Sequence, residues 1–288
     1  MSAPDRLAAY LERLRLDAPP SPDADGLARV QAAHRRAIAF ENLDILLRRP
    51  IRIDSDSVFD KLVTRRRGGY CFEQNRLLAD MLAALGLPNR PLLARVQMRL
   101  APGEIPPRTH MLLLLELDGE PWIADAGFGG SFAPPLPLRD GASAATEDGA
   151  RHRLRRIGQP GDLTGEWLLE RAGSPSAMDE RALFTDEWQP QYAFDLAPVS
   201  PIDLELSNHW TATRPDTRFT TLHIASIVLP DGFTALMDRM LTQVRGSVSE
   251  KRELTGPADY STALADLFGL SVSADEVAAL PLFASAAP

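Results

Sequence analysis

The single cysteine of this 288-residue chain, Cys71, follows a pair of glycines and opens a helical pattern. A helix N-terminus favours a thiolate, because its unpaired N–H groups and its macrodipole both stabilise negative charge. A thiolate in that position is a nucleophile suited to covalent catalysis. A free cysteine is more often a small buried hydrophobic residue. Cys71 taken alone therefore leaves both interpretations open.

His110 and Asp125 form a second candidate pair, because a hairpin is predicted between them. Two strand-like runs flank Asp118-Gly119, a dipeptide typical of two-residue hairpin turns. In that register Leu112 lies opposite Asp125, and His110 lies diagonal to Asp125 on the same face. A carboxylate on one imidazole nitrogen fixes the tautomer and leaves the other nitrogen free to take a proton from a thiol.

Together with Cys71, this pair supplies the parts of a Cys–His–Asp relay. We expect Asp125 to keep His110 cationic, so that the resting thiol and imidazole form an ion pair. The spacing does not show that Cys71 meets the hairpin in space. The other histidines, His34, His152 and His223, are interpreted as structural.

The pattern of apolar residues predicts the elements that position these groups. Up to about residue 88 the periodicity is helical, and Gly86 and Pro88 end the last helix. From residue 91 the pattern predicts strands, and residues 140–150 are predicted to form a loop. Near the C-terminus helices return, where Ser273 and Glu276 fit a capping box. The sequence therefore predicts an α+β protein with a helical bundle, a β-rich middle and a mixed C-terminal part.

Composition argues against several classes of function. A net charge of −8 and a pI near 5.2 argue against nucleic-acid or anionic-membrane binding. One cysteine excludes an intrachain disulfide, and no uncharged apolar run approaches membrane-spanning length. The N-terminus shows no apolar signal core. We expect a cytoplasmic protein without a metal site; the sequence indicates no oligomeric state.

Strings around the three candidate residues, and others further along, are shared with one known family. They are residues 40–43, 67–75, 109–111 and 125–130, with looser similarity at 189–194 and 207–219. Through them the chain resembles the arylamine N-acetyltransferases over most of its length. The resemblance implies a helical N-terminal domain, a central antiparallel β-barrel-like domain and a C-terminal α/β lid, built on a papain-like cysteine-enzyme core. The implied boundaries are 1–88, 89–203 and 204–288.

The resemblance also implies a ping-pong reaction. Cys71 would take an acetyl group from acetyl-coenzyme A and pass it to the nitrogen of an arylamine or arylhydrazine, with His110 as base and Asp125 as its orienter. Acetyl-coenzyme A would be a co-substrate, and no cofactor would be permanently bound. The backbone N–H of Cys71 is our candidate donor to the oxyanion of each tetrahedral intermediate.

Further contacts follow from the resemblance. On sequence alone, the glycine-rich loop after Asp125 is a plain turn, but by resemblance it forms part of the pocket for coenzyme A and the acceptor, with Phe128 facing the acceptor. The residues expected to contact coenzyme A are Thr109, Gly127, Phe128, Gly129, Gly130, Asn208, Thr213 and Phe219. We expect Arg67 and Glu41 to form a structural ion pair beside the cysteine, and Glu73 to serve the helix dipole rather than act as a second base.

Other functions remain open at this point. The same fold and triad could serve an amide synthase closing a polyketide-type chain, or a transglutaminase- or protease-like hydrolase. A non-catalytic binding protein is disfavoured, because it would have no reason to keep the three residues intact. Ala126 stands where the family often has valine, which leaves the acceptor preference open.

Overall fold

The N-terminal part of the chain is a helical bundle that presents Cys71 at the start of a helix. The computed structural model describes residues 2–101, 103–146, 149–173 and 185–283. The bundle consists of α1 (Ala3–Leu14), α2 (Ala24–Ala37), α3 (Leu43–Leu46), α4 (Ser55–Phe59), a π-helical turn (Asp60–Thr64) and α5 (Cys71–Ala84). The predicted apolar stripes form its core, in which Leu27, Leu62 and Leu78 are fully buried. After α5 the chain turns at Gly86, which has a φ of +84°, as the sequence predicts.

The middle of the chain forms an eight-stranded antiparallel, barrel-like sheet. In chain order its strands are β2 (Asn89–Val96), β3 (Arg108–Leu117), β4 (Glu120–Ala124), β5 (Leu136–Pro137), β6 (Ser143–Ala145), β7 (Arg151–Arg156), β8 (Trp167–Gly173) and β9 (Thr185–Phe194). In space the order is β5-β4-β3-β2-β9-β8-β7-β6. Leu112, Leu154 and Leu169 are fully buried in the core of this sheet. The short strand β6 lies within the segment that the sequence predicts as a loop, of which residues 147 and 148 lie outside the described residues.

The C-terminal part adds helices and a second antiparallel sheet, which includes a strand from the bundle. Its elements are α6 (Pro201–Thr213), α7 (Arg218–Thr221), β10 (Ile224–Leu229), β11 (Gly232–Met237), β12 (Met240–Arg245), β13 (Val248–Glu253), α8 (Pro257–Phe268) and α9 (Ala274–Ala278). The strand β1 (Phe40–Glu41) pairs with β10. The fold is therefore α+β, as predicted. The domain boundaries remain predictions; α6 begins before the one placed at 203/204.

Two local predictions are confirmed. Asp118 and Gly119 form the hairpin turn with φ values of +51° and +80°, which places Leu117 opposite Glu120. The side chain of Ser273 accepts the N–H of Glu276, which completes the capping box of α9.

No helix in the described part of the chain is long and apolar enough to span a bilayer.

A buried hydrogen-bond chain joins the bundle to the loop before Cys71. The side-chain nitrogen of Gln74 donates to the carbonyl oxygens of Ala39 (2.8 Å) and Gly69 (3.1 Å). Its side-chain oxygen therefore accepts from Nε2 of His34 (2.6 Å), and Nδ1 of His34 accepts from the Tyr10 hydroxyl (2.8 Å). This chain fixes His34 as a neutral imidazole with its proton on Nε2.

The neutral state of His34 predicts acid sensitivity of the fold. Burial lowers the pKa of His34 from about 6.5 to about 4. As the pH falls through this window the unfolded chain binds a proton that the folded protein excludes, so stability present above pH 6.5 is lost toward pH 4. The expected loss is about 3 kcal/mol in the free energy of unfolding.

Urea unfolding of the wild type and of His34→Gln at pH 7 and pH 4.5 measures this loss. The variant is expected to be less stable at pH 7 but to lose less stability on acidification. Burial also lowers the pKa of His223 to about 4. Because His223 is present in both proteins, its contribution to the pH dependence of stability is the same in each. An identical pH dependence in the two proteins would contradict the assignment.

Candidate active site

Cys71 is the first residue of α5 and is almost completely buried. Tyr70 caps the helix in an extended conformation, and the thiol donates to the carbonyl oxygen of Thr109 (3.6 Å). Burial raises the pKa of the Cys71 thiol, the charge of Asp125 raises it further, and hydrogen bonds from the backbone N–H groups of Met111 and Phe72 oppose the rise. Burial thus favours the neutral thiol, so a thiolate here requires a positive partner. The thiolate–imidazolium resting state remains a prediction.

The two glycines before the cysteine are required by close packing. The N–H of Gly69 donates to Ala39 (3.3 Å), and its carbonyl oxygen accepts from the N–H of Glu41 (3.1 Å), which binds the loop to β1. A Cβ on Gly68 would lie 2.4 Å from the Ala39 carbonyl oxygen. Only glycine fits at such a distance from a backbone atom.

The hairpin of β3 and β4 brings His110 and Asp125 together. Leu113 pairs with Ala124, so the register carries His110 to the face on which Asp125 follows β4. Nε2 of His110 lies 2.7 Å from Oδ2 of Asp125, and both side chains are 2% exposed. Nδ1 is therefore the ring nitrogen left for proton exchange with another group.

The other carboxylate oxygen of Asp125 is held by three N–H donors. Oδ1 accepts from the side-chain nitrogen of Asn75 (2.9 Å) and from the backbone N–H groups of Gly127 (2.8 Å) and Phe128 (3.0 Å). Burial alone would raise the pKa of Asp125, but the charge and hydrogen bond of His110, the hydrogen bond of Asn75 and the charge of Arg35 outweigh burial and place the pKa below its ordinary value. Asp125 is therefore a fixed carboxylate.

Several residues around the pair were missed by sequence reasoning. Asn75 also donates to the carbonyl oxygen of Met111, which ties α5 to β3. Gln31 accepts the N–H of Asp125 (2.8 Å), and the ring of Tyr192 packs 4.8 Å from that of His110. Asn75 had a usable signal, because it lies one helical turn after Cys71 in the same string. Tyr192 lies in the stretch 189–194, which has looser similarity to the family, but no role was assigned to it. Gln31 had no signal in the sequence.

Cys71 and His110 face the same cavity, whose volume is about 240 Å³. Apolar and aromatic side chains form most of its wall, and Arg218 is the lining residue with a permanent charge. The remaining lining residues are Phe40, Val96, Pro107, Thr109, Gly127, Phe128, Gly129, Gly130, Trp210, Thr211, Thr217, Phe219 and Ile224. Within the described part of the chain, no group of three or more His, Cys, Asp or Glu side chains could hold a metal ion.

Comparison with known proteins identifies the family. The family model described as N-acetyltransferase matches residues 23–277. The arylamine N-acetyltransferase of Escherichia coli K12 is 35% identical to this chain over 266 residues, which cover 91% of this chain and 88% of the relative. The chain belongs to the arylamine N-acetyltransferase family. It is accordingly an acyltransferase by family.

Solved arylamine N-acetyltransferases have the same fold. The enzyme from Salmonella typhimurium matches with a TM-score of 0.85 at 33% identity, over 96% of this chain and 97% of that one. The Mycobacterium marinum arylamine N-acetyltransferase, solved in complex with CoA, matches with a TM-score of 0.81 at 33% identity, over 94% and 96%.

Most of the residues that the family resemblance predicts to contact coenzyme A line the cavity beside Cys71. Thr109, the loop 127–130 and Phe219 do so. Asn208 and Thr213 instead line a second cavity of about 810 Å³. The amide of Asn208 donates to the Ile51 carbonyl oxygen (2.9 Å) and accepts from the Tyr70 hydroxyl. Asn208 thus braces the residue before the cysteine, and coenzyme A contact remains a prediction for the whole set.

The predicted ion pair between Arg67 and Glu41 is wrong. Arg67 pairs with Asp44 (3.2 Å) and Glu276 (3.1 Å) instead. The side chain of Glu41 folds back along its own chain, where Oε2 accepts the N–H of Leu43 (2.6 Å). The loop before Cys71 is therefore braced by α3 and α9 rather than by β1 alone.

Proposed function

We propose that this chain transfers an acetyl group from acetyl-coenzyme A to the nitrogen of an arylamine or arylhydrazine through a thioester on Cys71. The observation that carries the proposal is the cavity shared by Cys71 and His110, with Asp125 bound to the far nitrogen of the imidazole. Its aromatic wall suits a flat apolar acceptor. The CoA complex of a relative with the same fold supports the donor.

In the first half-reaction, Nδ1 of His110 takes the thiol proton of Cys71, and the sulfur attacks the acetyl carbonyl carbon. The backbone N–H of Cys71 donates to the resulting oxyanion. When the intermediate collapses, the C–S bond to coenzyme A breaks and the departing thiolate takes the proton from His110. Cys71 is left as an acetyl thioester.

In the second half-reaction, the acceptor nitrogen attacks the thioester carbonyl carbon. His110 takes a proton from that nitrogen, the bond to Sγ breaks, and the proton returns to Cys71 as the amide leaves. Asp125 stabilises the imidazolium in both halves by accepting a hydrogen bond from its Nε2–H group. Phe128, whose ring packs 5.1 Å from that of His110, would form one wall for the acceptor.

Intact-mass measurement after incubation with acetyl-coenzyme A and no amine tests this proposal. We expect one acetyl group on the wild type and none on Cys71→Ala, because the only thiol of the chain is removed. Adding aniline should return the mass to that of the free protein. Absence of an adduct on folded wild-type protein would overturn the proposal, and an adduct lost equally fast without an amine would indicate a hydrolase.

A further inference from the structure

Lys61 is a buried lysine within the bundle, held between two carboxylates. Its ammonium nitrogen lies 2.7 Å from Oε1 of Glu73 and 2.8 Å from Oδ2 of Asp44, and its side chain is 7% exposed. Lysine is almost never buried unless it is paired, and removing one partner of a buried pair is costly. The ion pair between Lys61 and Glu73 therefore fixes the position of the π-helical turn against α5.

Glu73 connects Lys61 to the cysteine. It lies two residues after Cys71, and its Oε2 accepts the backbone N–H of Tyr70 (3.1 Å). A Cβ on Gly69 would lie 2.7 Å from the same oxygen, so the carboxylate packs directly against the loop. The Glu73 side chain is 2% exposed. One carboxylate thus fixes the turn that presents the thiol, and Lys61 fixes the carboxylate.

The charge of Glu73 also acts on the thiol. Burial raises the pKa of Glu73 and the charge of Glu41 adds to the rise, while Lys61 opposes it. Glu73 in turn raises the pKa of Cys71. An unpaired carboxylate at this position would therefore disfavour the thiolate.

The remaining charged neighbours are Asp44, Asp125 and Glu41; the first two have basic partners, whereas Glu41 makes no ion pair in the described part of the chain and its charge acts on both Glu73 and Lys61. Asp44 of α3 is shared with Arg67 and Arg49, which with Lys61 hold the pKa of Asp44 low against the effect of burial. On the other side of the thiol, Asp125 is bound to His110. Lys61 is therefore the cation that pairs with Glu73.

We propose that Lys61 is a positioning residue for Cys71: through Glu73 it holds the turn that presents the thiol and cancels a negative charge beside the thiolate. The proposal rests on the proposed role of Cys71 as the nucleophile. Both effects act through Glu73, because the Lys61 ammonium binds the carboxylates of Glu73 and Asp44, and of these two Glu73 is the one that contacts the cysteine loop.

The pH dependence of Cys71 alkylation by iodoacetamide tests this charge effect without any acetyl donor. The midpoint is the pH at which the alkylation rate of Cys71 reaches half of its maximum. In Glu73→Gln a negative charge is lost and Lys61 remains, so this midpoint should fall by about one pH unit. In Lys61→Gln the ionised carboxylate of Glu73 is uncompensated, so the midpoint should rise, by at most a similar amount because the loss of Lys61 also raises the pKa of Glu73 and favours its neutral form. The double variant Lys61→Gln/Glu73→Gln replaces the ion pair by two amides that can bond each other, and its midpoint should return close to that of the wild type.

The exposed Lys251→Gln is the matched control and should leave the midpoint unchanged. Shifts of opposite sign that cancel in the double variant would not arise from a purely structural role. If Lys61→Gln fails to fold, Glu73→Gln and the double variant still decide the question by their difference. Equal midpoints in these two folded variants would overturn the proposal. Alkylation shifts as expected without any acetyl transfer would overturn only the proposed function.

Discussion

Replacing Asp125 by asparagine is expected to slow acetylation of Cys71 by about three to four orders of magnitude while the protein stays folded. In the wild type, Oδ2 of Asp125 accepts a hydrogen bond from the Nε2–H group of His110. An amide NH₂ group in that place is a donor, so Nε2 must become the acceptor and the ring proton must move to Nδ1. That nitrogen can then no longer take the thiol proton.

The surroundings of residue 125 prevent the amide of the asparagine from rotating to place its oxygen beside His110. Oδ1 lies among the donors of Asn75, Gly127 and Phe128. A rotated amide would point its NH₂ group at these three N–H donors and leave the backbone N–H groups of Gly127 and Phe128 buried without an acceptor. The amide oxygen must therefore take the Oδ1 position, and the wrong tautomer of His110 is forced.

The measurement is the rate at which the acetyl adduct forms with acetyl-coenzyme A and no amine, followed by quenched intact-mass analysis. Asp60→Asn, an equivalent change at an exposed carboxylate paired with Arg65, is the control and should acetylate at the wild-type rate. Thermal unfolding confirms that both variants are folded. Acetylation of Asp125→Asn within tenfold of the wild-type rate would disprove the relay.

The hairpin could be predicted because its determinants are local. Two residues, Asp118 and Gly119, fix the turn, and the turn fixes the register that brings His110 to Asp125. The start of α5 at Cys71 is local too, since it follows from the glycine pair and the apolar periodicity. The candidate pair and the candidate nucleophile were therefore each accessible from the sequence.

Contacts between distant segments could not be predicted in the same way. The approach of α5 to the hairpin depends on the hydrogen bonds of Asn75 to Met111 and Asp125, which only the folded sheet supplies. Lys61 is typical of an exposed helix position until Asp44 and Glu73 surround it. Buried ion pairs leave no periodic trace in a sequence, because their partners come from different elements.

Replacing Gly127 by alanine is expected to damage the site by displacing the loop that follows Asp125. A Cβ on Gly127 would lie 2.7 Å from the carbonyl oxygen of Cys71, 2.8 Å from its Cα and 2.7 Å from the side-chain nitrogen of Asn75. Two of these atoms belong to the backbone of α5 and cannot move aside cheaply. The loop must therefore shift away from the cysteine, which also weakens the hydrogen bond from the Gly127 N–H to Asp125.

We expect this overpacking to lower the free energy of unfolding by about 1–3 kcal/mol. A displacement near 1 Å between the cysteine and its partners should slow acetylation by about a hundredfold. Gly256 is the matched control. A Cβ added to Gly256 would meet no atom within 4 Å, and its φ of −178° is an extended conformation that any residue adopts. Gly256→Ala should acetylate at the wild-type rate. Wild-type acetylation and wild-type stability in urea for Gly127→Ala would contradict this prediction. The close packing of the loop against Cys71 would then not be required to hold Asp125 in place.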